Sequence, residues 1–166
     1  VFYVMCAAFF ICSLIKVSDT LAEEPLTIAQ GGASGYTIVL SDAASPSEKR
    51  GAEELQKFLE EISGCRLPIA AASEALASPA IFVGASRALV AVYPEFDLSS
   101  FGDEEYIIKT VGDNLILAGG RLRGTMYSVY GFLEDILGCR WYTRDVSRIP
   151  RMTTVTVPRL DRREKP

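Results

Sequence analysis

Residues 115–142 read LILAGGRLRGTMYSVYGFLEDILGCRWY, and this stretch decides the fold. Its apolar start, Leu115–Ala118, predicts a buried strand, and the glycines that follow predict a tight turn. Apolar residues recur at helical spacing from about Leu122 to Leu137, and Gly138 is suited to end that helix. Arg140–Tyr142 predicts a return strand. The predicted inward face of the helix consists of Met126, Val129, Tyr130, Leu133 and Ile136.

A second unit of the same kind lies upstream. Residues 45–48, Ser-Pro-Ser-Glu, combine an N-cap serine, a proline at the first helical position and a glutamate at the third, which is a capping box. The helix that follows ends at Gly64, and its inward face is Ala52, Leu55, Phe58, Leu59 and Ile62. Its end, FLEEISGCR at 58–66, nearly repeats FLEDILGCR at 132–140. Two similar units should therefore pack both helices on one sheet.

Further apolar runs predict the remaining strands. Thr27-Ile28 and Tyr36–Leu40 flank a glycine-rich turn and predict a hairpin. The other predicted strands are Cys65–Ala70, Ala80–Val83, Tyr106–Thr110 and Thr153–Val157, with a turn-like stretch at Ala71–Pro79 and a hairpin turn at 111–114. The predicted fold class is α+β, an α/β sandwich in which a mixed β-sheet carries two main helices on one face.

The first 22 residues differ in composition from the rest. Val1–Ile15 is almost wholly apolar, and Thr20-Leu21-Ala22 offers small residues at a cleavage site. Residues 1–22 are therefore predicted to be a signal peptide with a truncated n-region, and an uncleaved membrane anchor is the alternative. We expect an exported protein, secreted or periplasmic, that touches a membrane only through this segment if it is not cleaved.

Composition excludes several classes of function. The chain has no histidine, which removes the commonest general base and metal ligand. A net charge of −4 without a basic stripe argues against nucleic acid as a partner. At 166 residues the chain is too short for a TIM barrel, which needs about 250. We predict no catalytic residue, no metal site and no cofactor.

Two cysteines, Cys65 and Cys139, would remain after signal cleavage. Export permits a disulfide between them, and two small buried thiols are the favoured interpretation. Gly119, Gly124 and Thr125 have the spacing of a phosphate-binding loop but lack its lysine. A turn that lets the backbone pass close to a neighbour is therefore favoured over nucleotide binding.

Four acidic clusters bear on whether the chain hydrolyses glycosides, because glycosidases use a pair of carboxylates. The clusters are Glu53-Glu54, Glu60-Glu61, Asp103–Glu105 and Glu134-Asp135. All are predicted to be solvated, since the helical ones fall on outward faces and the other stands at a strand entrance. Trp141 is expected to pack beneath the second helix or against a neighbouring domain, and direct glycan contact is the alternative.

Residues 115–134 and 137–142 resemble the N-terminal domain of α-glucuronidase-like glycoside hydrolases, to which the domain preceding the barrel of β-N-acetylhexosaminidases is related. The helix Ala52–Leu59 and the strand Ile81–Gly84 support the resemblance, which covers most of residues 26–158. It implies a fold similar to zincins and to domain 2 of β-hexosaminidases, without a metal site. In that family the reacting groups lie on a TIM barrel that follows.

The resemblance implies a non-catalytic accessory domain at 26–158 that braces or orients this barrel, with residues 159–166 as a linker toward it. The expected partners are the barrel and a polysaccharide. Candidates for domain-interface or glycan contact are Arg121, Arg123, Trp141 and Tyr142. An independent carbohydrate-binding module is the alternative function, and a self-contained enzyme is disfavoured.

Overall fold

The computed structural model describes residues 23–74 and 79–166. The predicted signal peptide and part of the turn predicted at 71–79 lie outside the described residues. The strands are β1 Leu26–Gln30, β2 Thr37–Leu40, β3 Ile69–Ala71, β4 Ala80–Val83, β5 Tyr106–Val111, β6 Asn114–Gly119, β7 Arg140–Trp141, β8 Ser147–Arg148, β9 Thr154–Val157 and β10 Asp161–Glu164. The α-helices are α1 Pro46–Ser63, α2 Arg87–Val92 and α3 Gly124–Gly131.

Six strands form the main sheet, in the order β10-β5-β6-β4-β2-β3. Strands β6, β4, β2 and β3 are parallel to one another, whereas β5 and β10 are antiparallel to their neighbours. The sheet is therefore mixed. Together with the helices it makes the chain an α+β domain, as predicted.

Helix α1 begins as its sequence predicts. The hydroxyl of Ser45 accepts from the amide of Glu48, and the carboxylate of Glu48 accepts from the amide of Ser45 at 2.7 Å. The helix ends at Gly64, whose φ of 74° is in the left-handed region that glycine tolerates best. All five residues predicted to face inward are buried. Local signals thus fix both ends of α1 and its buried face.

Both main helices lie on one face of the sheet, as predicted. Leu55 and Leu59 of α1 share one core with Val129 of α3 and with Ile38 and Ile81 of the sheet. The opposite face has its own core, which the sequence-based prediction missed. It combines Val39, Phe82, Ile107 and Ile116 of the sheet with Leu89 of α2 and Phe96.

The predicted hairpin of β1 and β2 is wrong. Strand β1 pairs with β9, antiparallel, in a separate two-stranded sheet. Strand β2 lies inside the main sheet, where parallel pairing with β3 and β4 occupies both its edges. Gly31 and Gly32, with φ of 58° and 78°, turn the chain between the two sheets. The hairpin cannot form because β2 has no edge left for β1.

The second main helix is shorter and less regular than predicted. It begins at Gly124 instead of Leu122, and after Gly131 it continues as a single π-helical stretch, Phe132–Ile136. The amide of Leu137 donates to the carbonyl of Phe132 at 3.2 Å, five residues back. Phe132 is fully buried, while Met126, Tyr130 and Ile136 of the predicted inward face are half-buried.

Residues 159–166, the predicted linker, contribute the edge strand β10 to the main sheet. Asp161 to Glu164 pair with Lys109 to Tyr106 of β5 in antiparallel register. The Lys109 ammonium also lies 2.5 Å from the Asp161 carboxylate. The ordered sheet thus extends into the stretch assigned to the linker.

We expect Ser45→Ala to lower the free energy of unfolding by about 1 kcal/mol, because the capping hydroxyl of α1 is lost. The measurement is urea unfolding followed by circular dichroism. Ser47→Ala is the matched control, since the Ser47 hydroxyl is buried and has no hydrogen-bond partner within the part of the chain that the structure describes. An equal loss in both variants would show that the cap contributes nothing specific.

Candidate functional site

The glycine-rich turn between β6 and α3 encloses the chain's own backbone. The amide of Gly120 donates to the carbonyl of Glu105 at 2.8 Å. The amides of Arg123 and Gly124 donate to the carbonyl of Asp103 at 3.1 and 3.0 Å. A Cβ on Gly119 would collide with the carbonyl oxygen of Glu105. A phosphate would need these amides, and they are already bonded to backbone carbonyls. The turn is therefore a site of close backbone approach, which is the interpretation that the sequence favours over a nucleotide-binding loop.

Glu105 is buried beside this turn, so the prediction that every acidic cluster is solvated is wrong. Only 5% of Glu105 is exposed. Its carboxylate accepts from the amide of Gly102 at 3.1 Å and from the guanidinium of Arg163, in β10, at 2.6 Å, with the Lys165 ammonium at 3.6 Å. These hydrogen bonds and charges hold the pKa of Glu105 below its ordinary value. The carboxylate is therefore a structural anion that binds β10 to the loop before β5.

Glu54 is the second buried acid, at 5% exposure. It forms an ion pair with Arg50, one turn earlier on α1. The prediction failed for both residues for a similar reason. Each carboxylate has a cationic partner that offsets the cost of burial, and for Glu105 that partner lies 58 residues away in the sequence.

The four predicted contact residues lie in two places. Arg121 and Arg123 precede α3, whereas Trp141 and Tyr142 follow the π-helical stretch. Arg121 is exposed. Arg123 is exposed and lies 3.4 Å from the carboxylate of Glu104. The structure therefore does not bring the four residues together.

Trp141 packs beneath the helices, as predicted. Its ring meets Phe58 of α1 edge to face at a centroid distance of 5.2 Å, and Tyr130 of α3 at 5.4 Å. Tyr142, the next residue, is 64% exposed, and Val146 across the β7–β8 hairpin is 54% exposed. The amide of Tyr142 donates to the carbonyl of Val146 at 2.9 Å. Tyr142 and Val146 together form an exposed apolar pair on a hairpin supported by Trp141.

A crevice lies at the carboxyl ends of β2 and β4. Its volume is about 460 Å³, and its lining includes Ser41, which follows β2, and Ala85, Ser86 and Arg87, which follow β4. Val90, Phe96 and Leu98 form its apolar side. An adjoining depression of about 200 Å³ shares Ser41, Ala85 and Leu98 and adds Glu48 and Arg121. The sequence-based prediction found only Arg121 here, although strand ends followed by small residues are a usable signal.

Within the described part of the chain, Cys65 and Cys139 are free thiols, with Cys139 buried and Cys65 half-buried. Burial raises the pKa of the Cys139 thiol to about 11, so it stays protonated and unreactive at neutral pH. Nowhere in residues 23–74 and 79–166 do three or more His, Cys, Asp or Glu side chains gather as they would around a metal ion. Within the same ranges, the helices are too short or too polar to cross a membrane.

No protein-family model matches the chain, and no curated protein matches it. Several solved structures do match it. One is a family GH115 4-O-methyl-α-glucuronidase, BtGH115A, with specificity for decorated arabinogalactans. It superposes with a TM-score of 0.57 at 12% identity over 85% of this chain and 18% of that chain. The likeness shows that the fold is shared.

Two mutants of Streptomyces plicatus β-hexosaminidase in complex with the product GlcNAc also match. Their TM-score is 0.44 at 17% and 18% identity, over 68% of this chain and 18% of those chains. The chain thus spans about a fifth of the length of the hydrolases that it matches.

We expect Gly119→Ala to destabilise the protein by about 2 kcal/mol or more, because the new methyl group collides with the backbone at Glu105. Gly35→Ala is the matched control, since a Cβ there meets nothing within 4 Å and its φ is ordinary. Its expected effect is within about 0.5 kcal/mol. Thermal unfolding of both variants is the measurement, and equal stability would contradict the close approach at the turn.

The lowered pKa of Glu105 predicts acid sensitivity. Its contribution to stability is complete above the ordinary glutamate pKa of about 4.3 and is lost as the pH falls through the lower value in the folded protein. Glu105→Gln should therefore be less stable than the wild type at pH 7, and the difference should shrink toward pH 3. Urea unfolding from pH 7 to pH 3 measures this. Glu104→Gln is the control, and the same pH dependence in both variants would refute the assignment.

Proposed function

We propose that residues 26–158 form a non-catalytic accessory domain of a secreted glycoside hydrolase, which braces or orients a downstream TIM barrel. One observation carries the proposal: the fold matches 85% of this chain but only 18% of a glucuronidase chain. A unit of that size cannot hold a TIM barrel of about 250 residues. The role that fits is therefore that of a smaller domain beside the catalytic one.

The finer fold assignment belongs to the same proposal. A mixed sheet with α1 and α3 on one face supports a zincin-like fold of the kind found in domain 2 of β-hexosaminidases. Export through the segment 1–22, with residues 159–166 leading toward the barrel, completes the proposed organisation of the protein.

The surroundings of the two buried acids support a non-catalytic role. A glycosidase needs one carboxylic acid whose pKa is raised so that it can protonate the leaving group. The pKa of Glu105 is lowered instead, and its oxygens are occupied by Gly102 and Arg163. Glu54 is held by Arg50 on its own helix. Both acids therefore have structural partners within the domain.

The exposed apolar pair Tyr142 and Val146 is the proposed contact with the barrel. Aromatic residues are enriched in interfaces, and a domain interface buries about 600–1,500 Å². The edge-to-face packing of Trp141 against Phe58 and Tyr130 holds the base of the hairpin rigid. Arg121 and Arg123, at the far end of α3, would contact the barrel only if the interface runs along the whole helix.

The test uses the protein encoded by the full reading frame that contains this chain. Tyr142→Ser combined with Val146→Ser should lower the unfolding temperature of the catalytic unit, because about 2 kcal/mol of apolar burial is lost. In the isolated 166-residue chain the same change should have little effect, since both side chains are exposed there. Differential scanning calorimetry is the measurement.

Val90→Ser is the matched control, because Val90 is also an exposed valine, at 44%, but lies in the crevice. Equal effects of both changes on the full-length protein would refute the interface. A reading frame that continues without a barrel would refute the accessory role itself.

A further inference from the structure

The crevice between β2 and β4 lies at a switch point of the sheet. After β2 the chain crosses one face through α1 to reach β3. After β4 it leaves on the opposite face through α2. Where neighbouring parallel strands continue into connections on opposite faces, the connections part beyond the carboxyl ends of the strands, and the crevice left there is where open α/β sheets bind ligands. The volume of about 460 Å³ is within the range of small-molecule sites.

The polar groups of the crevice have unused hydrogen-bonding capacity of both kinds. Among the residues that the structure describes, Arg87 neither donates a hydrogen bond from its side chain nor lies within 4.0 Å of a carboxylate. Asp97 uses one carboxylate oxygen, Oδ1, for both the amide and the hydroxyl of Ser99, and its other oxygen has no partner in residues 23–74 and 79–166. Donors and acceptors are thus available side by side.

The charge of the crevice does not favour an anion. Arg87 and Asp97 both line the crevice, so its own charges balance. The two adjoining depressions add Arg121, Asp42 and Glu48, so carboxylates outnumber guanidinium groups around it. A small anion would gain from an arginine but would be repelled by these acids. The lining therefore suits a neutral ligand that both donates and accepts hydrogen bonds.

One side of the crevice is apolar. Val90 is 44% exposed there, and Leu98 and Phe96 continue the same wall. A sugar ring has hydroxyl groups around its edge, each of them both donor and acceptor, and an apolar C–H face. Such a ring could place its face on Val90 and Leu98 while its hydroxyl groups reach Arg87 and Asp97.

We propose that this crevice binds one ring of a neutral sugar. The proposal deepens the proposed function, since a glycan site would suit a domain attached to a glycan-degrading enzyme. It places glycan contact in the crevice, whereas the sequence-based candidates for interface or glycan contact were Arg121, Arg123, Trp141 and Tyr142. It does not depend on the barrel contact at the β7–β8 hairpin.

In the test, the isotopically labelled 166-residue chain is titrated separately with cellobiose, xylobiose and chitobiose. Binding is monitored through the chemical shifts of the backbone amides. At least one disaccharide should shift the amides of Ser41, Ala85 and Leu98 in a saturable way. Arg87→Ala should weaken that binding about tenfold, the loss expected for a hydrogen bond from a charged group. Val90→Ser should weaken it about threefold or more by removing apolar contact. If Arg87→Ala fails to fold, Val90→Ser decides.

Arg151→Ala and Tyr142→Ala are the controls, because Arg151 lines a different depression and Tyr142 lies on the hairpin. Unchanged binding in both variants supports the crevice. Galacturonate and inorganic phosphate are the charged probes, and shifts caused by these alone would overturn the proposal in favour of an anion site. Shifts centred on Tyr142, or none with any disaccharide, would also overturn it. None of these results alters the calorimetric test of the accessory role.

Discussion

The close contact between the glycine-rich turn and the loop Gly102–Glu105 is the constraint on which the rest of the structure depends. The amides that begin α3 donate to the carbonyls of this loop, so the position of the loop sets where α3 begins. That position in turn lets α3 pack closely against α1 at Gly51. A Cβ added to Gly51 would lie 3.4 Å from the side chain of Val129 in α3. The same loop buries the carboxylate of Glu105, which holds β10 through Arg163. One backbone contact thus connects the helix layer with the edge of the sheet.

The features that could be predicted from the sequence are those that local chemistry determines. The capping box at Ser45, the glycine stop at Gly64 and the buried face of α1 all depend on residues within one helix. The hairpin of β5 and β6 likewise depends on a short turn. The partner of β1 was mispredicted because β9 lies more than a hundred residues away and no local signal specifies it.

The site was harder to predict than the fold, for a related reason. Arg121 was found because it stands in a distinctive turn, but Arg87, Val90 and Leu98 occur in a stretch with no motif. They meet Ser41 because the chain leaves the neighbouring strands β2 and β4 on opposite faces, which is a property of the topology. The four residues chosen from the sequence were neighbours of one helix, and its length keeps the two pairs apart. Sequence proximity to a conspicuous motif was therefore a poor guide to spatial proximity.

The edges of the main sheet bear on how the protein behaves at high concentration. Strand β10 presents Asp161, Arg162, Arg163 and Glu164 in succession, and β3 at the other edge is only three residues long. A charged edge and a very short edge are both poor templates for strands of another molecule. The buried strands in between carry apolar runs, such as β4 and residues 115–118 of β6, which would be prone to aggregate if they were uncovered. The two outer strands therefore protect the protein against self-association as well as completing its sheet.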